Sequence, residues 1–476
     1  MSRILLLLFI LSFNASFASK SVINTTNNPK FVDVVIIGAG ASGMSSAASL
    51  IHFSNLSFVV LEGKTYTGGR VHARKFGTTN TLHIEEGANW VHGEPPPGGT
   101  SRMVNPAWKL AKQVNLSMIR IPGSCANTSG YSLYTSNGTL YSNINGEVQQ
   151  QADAAFQCAN VTGSQLKNNQ DISFQQALKG CGFNPPLAGS VKDTLFWEIT
   201  AANLPMDIDR ESLKWALPDP TYMYFGPDDH FVHEQKNSRG YAAILDAMFD
   251  TSKDQSVFES SLQLETDVLE IAATPLHSIC QPGQVWIRTT KINYCSKYVI
   301  STLPLGVMQQ DHSDIFTSPP LSKSKVHGLE SFDMGNFTKI FIQFEKNFWS
   351  HRGQQFLIAN TVTADGDISK GRRNPMEFHD LGSLIEGSNT LFTYVTGQDC
   401  NRWSLMTDEK ALQEMVELLK IHFPSVKMLP KVTSFYMTRH YEDKFMRGAY
   451  SVSKVGVTNK EFNEMVEPHG RLKKMF

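Results

Sequence analysis

Two kinds of apolar pattern alternate along the 476-residue chain: short β-branched runs, and stretches with the three-and-four spacing of a helix. The first run, Phe31 to Ile37 (FVDVVII), is nearly continuous and predicts a strand buried on both faces of a parallel sheet. It leads directly into Gly38-Ala39-Gly40-Ala41-Ser42-Gly43. Ala41 to Phe53 then predicts a helix, and Ser57 to Leu61 a second strand ending at Glu62. Asn105 as N-cap with Pro106 behind it starts another helix, whose apolar face is Ala107, Leu110, Ala111 and Val114. Strands are expected over Val285 to Thr289, Tyr298 to Thr302 and Thr338 to Phe344. A helix bearing Leu412, Met415, Val416 and Leu419 should end at Pro424. No internal repeat, heptad run or low-complexity tract interrupts this mixture.

The strand, glycine turn, helix, strand unit carries the strongest chemistry. Gly38 permits the tight turn, Gly40 lets a backbone approach a pyrophosphate, and Gly43 lets helix and strand pack closely. The helix N-terminus, from Ser42 onward, aims partial positive charge at phosphates. Glu62 sits at the end of the second strand, where a carboxylate accepts ribose hydroxyls. These features together predict an adenine dinucleotide. Gly68-Gly69-Arg70 follows at once and offers a second flexible turn with a cation able to reach the same pyrophosphate.

Charge and composition narrow the function classes. Lys plus Arg total 43 against 44 Asp plus Glu, so no basic field exists to hold a nucleic acid. Arg3, the apolar run Ile4 to Phe13, and the small residues Ser16 and Ala18 predict a secretory signal over residues 1–18. That run is too short to span a bilayer, and no later segment reaches the roughly 20 residues needed, so no membrane span is expected. Asn24, Asn115, Asn127, Asn137 and Asn160 head glycosylation sequons in polar surroundings, whereas Asn55 and Asn336 lie beside apolar strands and are expected to stay bare. Of six cysteines, Cys125, Cys158 and Cys181 share one loop-rich segment, and one disulfide is expected among them. No Cys or His spacing suggests a metal.

The stretches VVIIGAGASGMSSAASL, VVLEGKTYTGGR and IEEGANWVHG resemble the FAD-containing amine oxidase family, and most closely its polyamine oxidase branch. YVISTLPLGVMQQD, FDMGNFTKIFIQFEKNFW, the RGY at Arg239 to Tyr241, and RGAYS with VGV and PHGRL follow in family order. The resemblance implies FAD as cofactor, and an α/β architecture in which a Rossmann-type FAD-binding domain is interleaved with an α+β substrate-binding domain. By resemblance, Gly38, Gly40, Ser42, Gly43, Glu62, Gly69 and Arg70 contact the adenine-ribose and pyrophosphate. Asn89 and Trp90 line the flavin, and the Val268 backbone meets the adenine. His92 falls where relatives face the substrate amine, Lys339 matches a lysine that holds a water at the flavin, and Tyr450 matches an aromatic wall. The residues agree at Lys339. Strand alternation puts Phe337, Lys339 and Phe341 on one face, and burial there would lower the ammonium pKa and suit it to position or deprotonate a water. Glu198, a lone carboxylate in LFWEITAAN, either faces a cationic substrate or is paired in the core. Asp228 and Asp229, beside Gly226-Pro227, read as a solvated turn.

Three departures from the family pattern stand out. Gly63-Lys64 replaces an Ala-Arg pair, and His440 with Tyr441 stands where relatives carry tryptophan near the flavin, which makes Tyr441 a candidate flavin contact. After PHGRL the chain reads Lys473-Lys474-Met475-Phe476, which predicts a C-terminally truncated FAD-binding domain. The expected layout is FAD-binding domain over residues 30–95, 235–315 and 437–476, and substrate domain over 96–234 and 316–436. The expected activity is oxidation of spermine, spermidine or their acetylated forms to an imine, with O2 reduced to hydrogen peroxide. A secreted L-amino-acid oxidase and a non-catalytic secreted glycoprotein are the alternatives.

Overall fold

The computed structural model describes residues 28–79, 81–94, 104–121, 132–135, 137–142, 146–167, 170–183, 190–200, 206–216, 229–273, 279–359 and 376–469. The expected signal segment, Cys125, Asp228, the sequons at Asn24 and Asn127, and Gly470 to Leu472 lie outside them.

The strand Lys30–Ile37 lies third in a seven-stranded sheet; Val34 to Ile37 are buried as expected, whereas Phe31 at its start is 57% exposed. It pairs in parallel with Phe58–Leu61 on one side and Tyr294–Ser301 on the other. Val34 and Ile36 pack against the helix Ala41–Phe53 through Met44, Ala47 and Ala48, while Val35 and Ile37 fill an opposite core with Ile271, Ile287 and Val299. The sheet continues through Val285–Thr289 and Val268–Ala272 to an edge strand, Phe316–Ser318. Chain segments far apart in sequence thus complete one Rossmann-type layer.

A second seven-stranded sheet runs in the order Val432–Met437, Phe337–Phe344, Thr390–Thr396, Met376–Asp380, Gln355–Ile358, Ser132–Tyr134 and Leu140–Tyr141. Its alternation separates two environments. Ile340, Ile342 and Phe344 face a core closed by Met415 and Leu419 of the helix Asp408–His422. Phe337 and Phe341 point the other way, into an aromatic cluster with Phe392, Tyr394 and Trp197. The fold is therefore the expected α/β one, a dinucleotide layer beside a second mixed sheet.

A helical lobe built from Glu147–Gln165, Phe174–Gly180 and Val191–Thr200 covers that aromatic face. Within it Cys158 and Cys181 form the disulfide expected of their segment, and a second joins Cys280 to Cys295; Cys400 is free and buried. The helix Pro106–Gln113 starts where Asn105 accepts a hydrogen bond from the Ala107 N–H. Its most buried members are Trp108 and Ala111, so the indole, absent from the expected apolar face, provides much of its anchor. Among the described residues no helix is long and apolar enough to cross a membrane.

Candidate functional site

The glycine turn is built for a ligand that approaches backbone. Gly38 has φ +97°, and a side chain on Gly43 would lie 1.9 Å from the Gly38 carbonyl oxygen. At Gly40 the situation is reversed: an added Cβ would meet nothing nearer than the Gly69 Cα at 4.0 Å. Gly69, at φ +60°, brings the second turn against the first, and Gly68 donates its N–H to the Ala39 carbonyl at 2.8 Å. The open side of the two turns is bare backbone at a helix N-terminus, where Ser42 is exposed.

Glu62 is buried and accepts the Ala39 N–H at 2.7 Å and the Lys64 N–H at 2.8 Å, one on each oxygen, which leaves a lone pair on each for ribose hydroxyls. Val268 lies nearby, because Thr266 donates its N–H to the Glu62 carbonyl. Arg70 donates to the Ala449 carbonyl at 2.5 Å and has no carboxylate partner among the described residues. Burial pushes its pKa down. A half-buried guanidinium without an anion, beside an open glycine cradle, fits a pyrophosphate. Lys64 ion-pairs with Asp443, so the Gly63-Lys64 departure adds a tie to the chain's last described segment.

A second group of residues meets around Lys339, which is 5% exposed. Its Nζ donates to the Glu85 carbonyl at 3.2 Å, to the Gly87 carbonyl and to Asn89 Oδ1 at 2.5 Å, and lies 5.4 Å from the Phe392 ring centroid. Burial lowers its pKa, against the pull of the Glu85 and Glu86 charges. The same Gly-Ala-Asn-Trp segment expected to line a flavin is thus fixed by Lys339.

Neighbouring acids at Glu85 and Glu86 behave oppositely. Burial would raise Glu86, but hydrogen bonds from His72, Tyr436 and Arg74 outweigh it and hold the pKa at about 2. Burial dominates at Glu85 and raises its pKa; one oxygen accepts the Tyr241 N–H at 2.8 Å. His440 turns inward, its Nε2 3.2 Å from the Glu86 carbonyl, and burial lowers its pKa. Tyr441, the other member of that departure, is 45% exposed.

The aromatic chamber is assembled from distant segments. Phe337 stacks on Tyr394 at 5.0 Å and contacts Tyr450 at 6.1 Å; Trp197 reaches Tyr394 at 6.4 Å. Trp90 meets Phe231 edge-on at 5.0 Å. Strand alternation places His92 on the same side as Trp90, with Val91 opposite in the nucleotide-domain core. Glu198 follows Trp197 on the covering helix, and its Oε2 is shielded from solvent.

Asp229 corrects the expectation of a solvated turn. It begins the strand Asp229–Val232, is 3% exposed, and sits 3.1 Å from His92 Nδ1. Pairing on both sides, with Trp90–His92 and Met118–Ile121, removes it from water; Gly226-Pro227 gave no sign of those long-range partners. Sequence reasoning also missed Glu377 and His379, whose side chains lie 3.1 Å apart behind the chamber, with Glu377 accepting the Tyr394 hydroxyl. Their alternation on the strand Met376–Asp380 was the available signal.

A family model described as flavin containing amine oxidoreductase matches residues 41–473. Since the match runs to residue 473, the expected truncation relative to the family is not borne out. Polyamine oxidase 7 of Oryza sativa subsp. japonica is 27% identical over 95% of this chain and 90% of its own length. Polyamine oxidase 1 of Zea mays is 28% identical over 96% and 87%. A solved structure of putrescine oxidase bound to putrescine superimposes with a TM-score of 0.64 at 16% identity, covering 94% of this chain and 92% of that one.

Proposed function

Since the chain belongs to the flavin containing amine oxidoreductase family and is an FAD-dependent amine oxidase, we propose that its substrates are polyamines and that it works in the secretory pathway or outside the cell. FAD, when bound, accepts hydride from the amine carbon and passes the electrons to O2. The glycine turns and Arg70 would hold its pyrophosphate, Glu62 its ribose, and Asn89 and Trp90 would line its ring. Lys339, once neutral, offers its lone pair to a water beside the reacting centre, while Phe337, Tyr394, Trp197 and Tyr450 exclude bulk solvent and favour the unprotonated nitrogen.

The observation that carries the polyamine reading is the charge around the chamber. Among the described residues, Glu198, Asp229 with His92, and Glu377 with His379 border it, and Lys339 beside it is already held by carbonyl groups. Such a lining suits distal ammonium groups and, among the described residues, offers no seat for an amino-acid carboxylate. The relatives named polyamine oxidase point the same way. Peroxide formation should therefore be fastest with spermine, spermidine or N-acetylated forms; turnover of L-phenylalanine but of no polyamine would overturn the assignment.

Two disulfides and the exposed sequons at Asn115 and Asn137 support an oxidising, glycosylating compartment. Asn336 is buried against Asn401, in keeping with a bare site, whereas Asn55 is exposed. Expression with the full leader should deliver glycosylated protein to the medium, and unglycosylated protein confined to the cytosol would contradict this localisation.

A further inference from the structure

Behind Lys339, between the aromatic cluster and the strand Leu82–Glu85 and away from the glycine turn, lies a small cavity. Its lining includes Glu85, Asn89, His83, His233 and Glu234, closed on the far side by apolar residues such as Phe341 and Phe392. His83 and Glu85 alternate on the strand Leu82–Glu85 and so share a face. Glu85 is 8% exposed, and its Oε2 has no hydrogen-bond partner among the described residues; neither ring nitrogen of His83 has one either. Buried polar atoms of this kind are normally satisfied, by water where the protein supplies nothing. Asn89 links the cavity to Lys339, since its Oδ1 accepts from the ammonium.

The charges around Glu85 set its state. Glu234 is a fixed anion, holding three backbone N–H groups from Ser117, Lys236 and Asn237. Glu86 is another, through its bonds to His72, Arg74 and Tyr436. Away from water and between two permanent carboxylates, Glu85 holds its proton well above the ordinary carboxylate range, opposed by one backbone N–H and the Lys339 cation. Burial makes Lys339 in turn release its proton well below the ordinary lysine range. Neither preference is satisfied while both groups are charged, and one proton moved between them satisfies both.

We propose that Glu85 is the proton-holding partner of Lys339, and that the cavity lined by His83, Asn89, His233 and Glu234 is the passage by which this proton is exchanged with solvent. The Lys339 ammonium releases the proton it directs at Asn89 Oδ1, on the cavity wall, to a water there, and that water protonates Glu85 Oε2. An ammonium and a carboxylate become an amine and a carboxylic acid, and the net charge of the pair is unchanged. The neutral lysine can then take a proton, through the water it positions, from a substrate that arrives as an ammonium ion, leaving the neutral nitrogen that hydride loss requires. His83 accepts at one ring nitrogen and donates from the other, so it can pass the proton of Glu85 onward and reset the pair.

This inference rests on the amine oxidase assignment but not on which amine is oxidised, and its first test needs no substrate. Infrared titration of the full-length, flavin-loaded protein should show, besides the band of buried Glu211, a second protonated carboxylic acid carbonyl band at neutral pH that fades as pH rises and is assigned to Glu85 by the wild type minus Glu85→Gln difference spectrum. Glu85→Gln, which keeps an oxygen for the Tyr241 N–H, should remove the band while flavin absorbance is retained. With any amine that reduces the flavin, Glu85→Gln should slow reduction about tenfold. It should also move the ascending limb of the pH profile down by about one unit, because the ammonium loses its counter-charge. His83→Leu should slow reduction and leave the band in place. A wild type without the band, or a Glu85→Gln variant that keeps both band and pH profile, would reduce Glu85 to a structural acceptor for Tyr241. Should Glu85→Gln fail to fold, displacement of the band in Glu85→Asp carries the same decision.

Discussion

The dinucleotide turn and the aromatic chamber solve opposite problems. The turn is made of backbone: Gly38, Gly40, Gly43, Gly68 and Gly69 matter for the side chains they lack, and the span from Lys30 to Arg70 contains nearly all of it. The chamber is made of side chains from at least five separated segments, carrying Trp90, Trp197, Phe337, Tyr394 and Tyr450. A site built from absent side chains tolerates almost no addition. A site built from many large ones loses function by degrees.

The largest effect should follow from filling the turn. In Gly40→Val a branched side chain would occupy the open cradle, and the purified protein should be colourless while its far-ultraviolet circular dichroism is unchanged. Normal flavin absorbance in that variant would remove the turn from the cofactor site. Next comes Lys339→Met. Flavin should stay bound, because the ammonium contacts the Gly-Ala-Asn-Trp segment and not the glycine cradle, but reduction by amine should slow about a hundredfold. Wild-type rates of reduction and reoxidation would take Lys339 out of the mechanism.

A smaller, thermodynamic effect is expected at Glu211, on the seam between the helical lobe and the strand Tyr450–Ser453. It is 4% exposed, burial raises its pKa to about 8, and its Oε2 has no partner among the described residues. The raised folded-state pKa means that the unfolded chain ionises first as pH climbs. Stability from this group is complete below the ordinary carboxyl range near 4.5 and is lost progressively up to about pH 8. Glu211→Gln, which mimics the protonated acid, should raise stability at pH 8 by on the order of a few kcal/mol and change little at pH 4. Equal effects at both values would contradict the burial argument. The smallest change should come from His92→Gln: a severalfold rise in KM for a polycationic amine with kcat nearly unchanged, since His92 with Asp229 lies at the chamber edge. A large fall in kcat would place His92 in the chemistry itself.

The same contrast explains what the sequence disclosed. Strand, turn, helix and ribose acid are encoded within a few dozen residues, and periodicity with glycine spacing is enough to read them. Lys339 was visible as a cation flanked by phenylalanines on a strand face. The partners of Lys339 were not, because Glu85, Gly87 and Asn89 lie some 250 positions away and only sheet packing brings them together. Asp229 was misread for the same reason: its two strand partners come from residues 90–92 and 118–121. Glu86 and Glu85 are adjacent in sequence, yet one is held ionised and the other keeps its proton well above the ordinary carboxylate range, a difference set mainly by burial and by partners from other segments.

The most direct test mixes the flavin-loaded protein anaerobically with spermine, and separately with N-acetylated spermine, benzylamine and L-phenylalanine, while the oxidised-flavin absorbance is followed. A polyamine or its acetylated form should bleach that band fastest, with a rate that rises with pH as the reacting nitrogen loses its proton, and admission of air should restore the colour with release of hydrogen peroxide. Bleaching by L-phenylalanine alone would move the protein to amino-acid oxidation. Bound flavin that no amine bleaches would contradict a chamber built to oxidise amines.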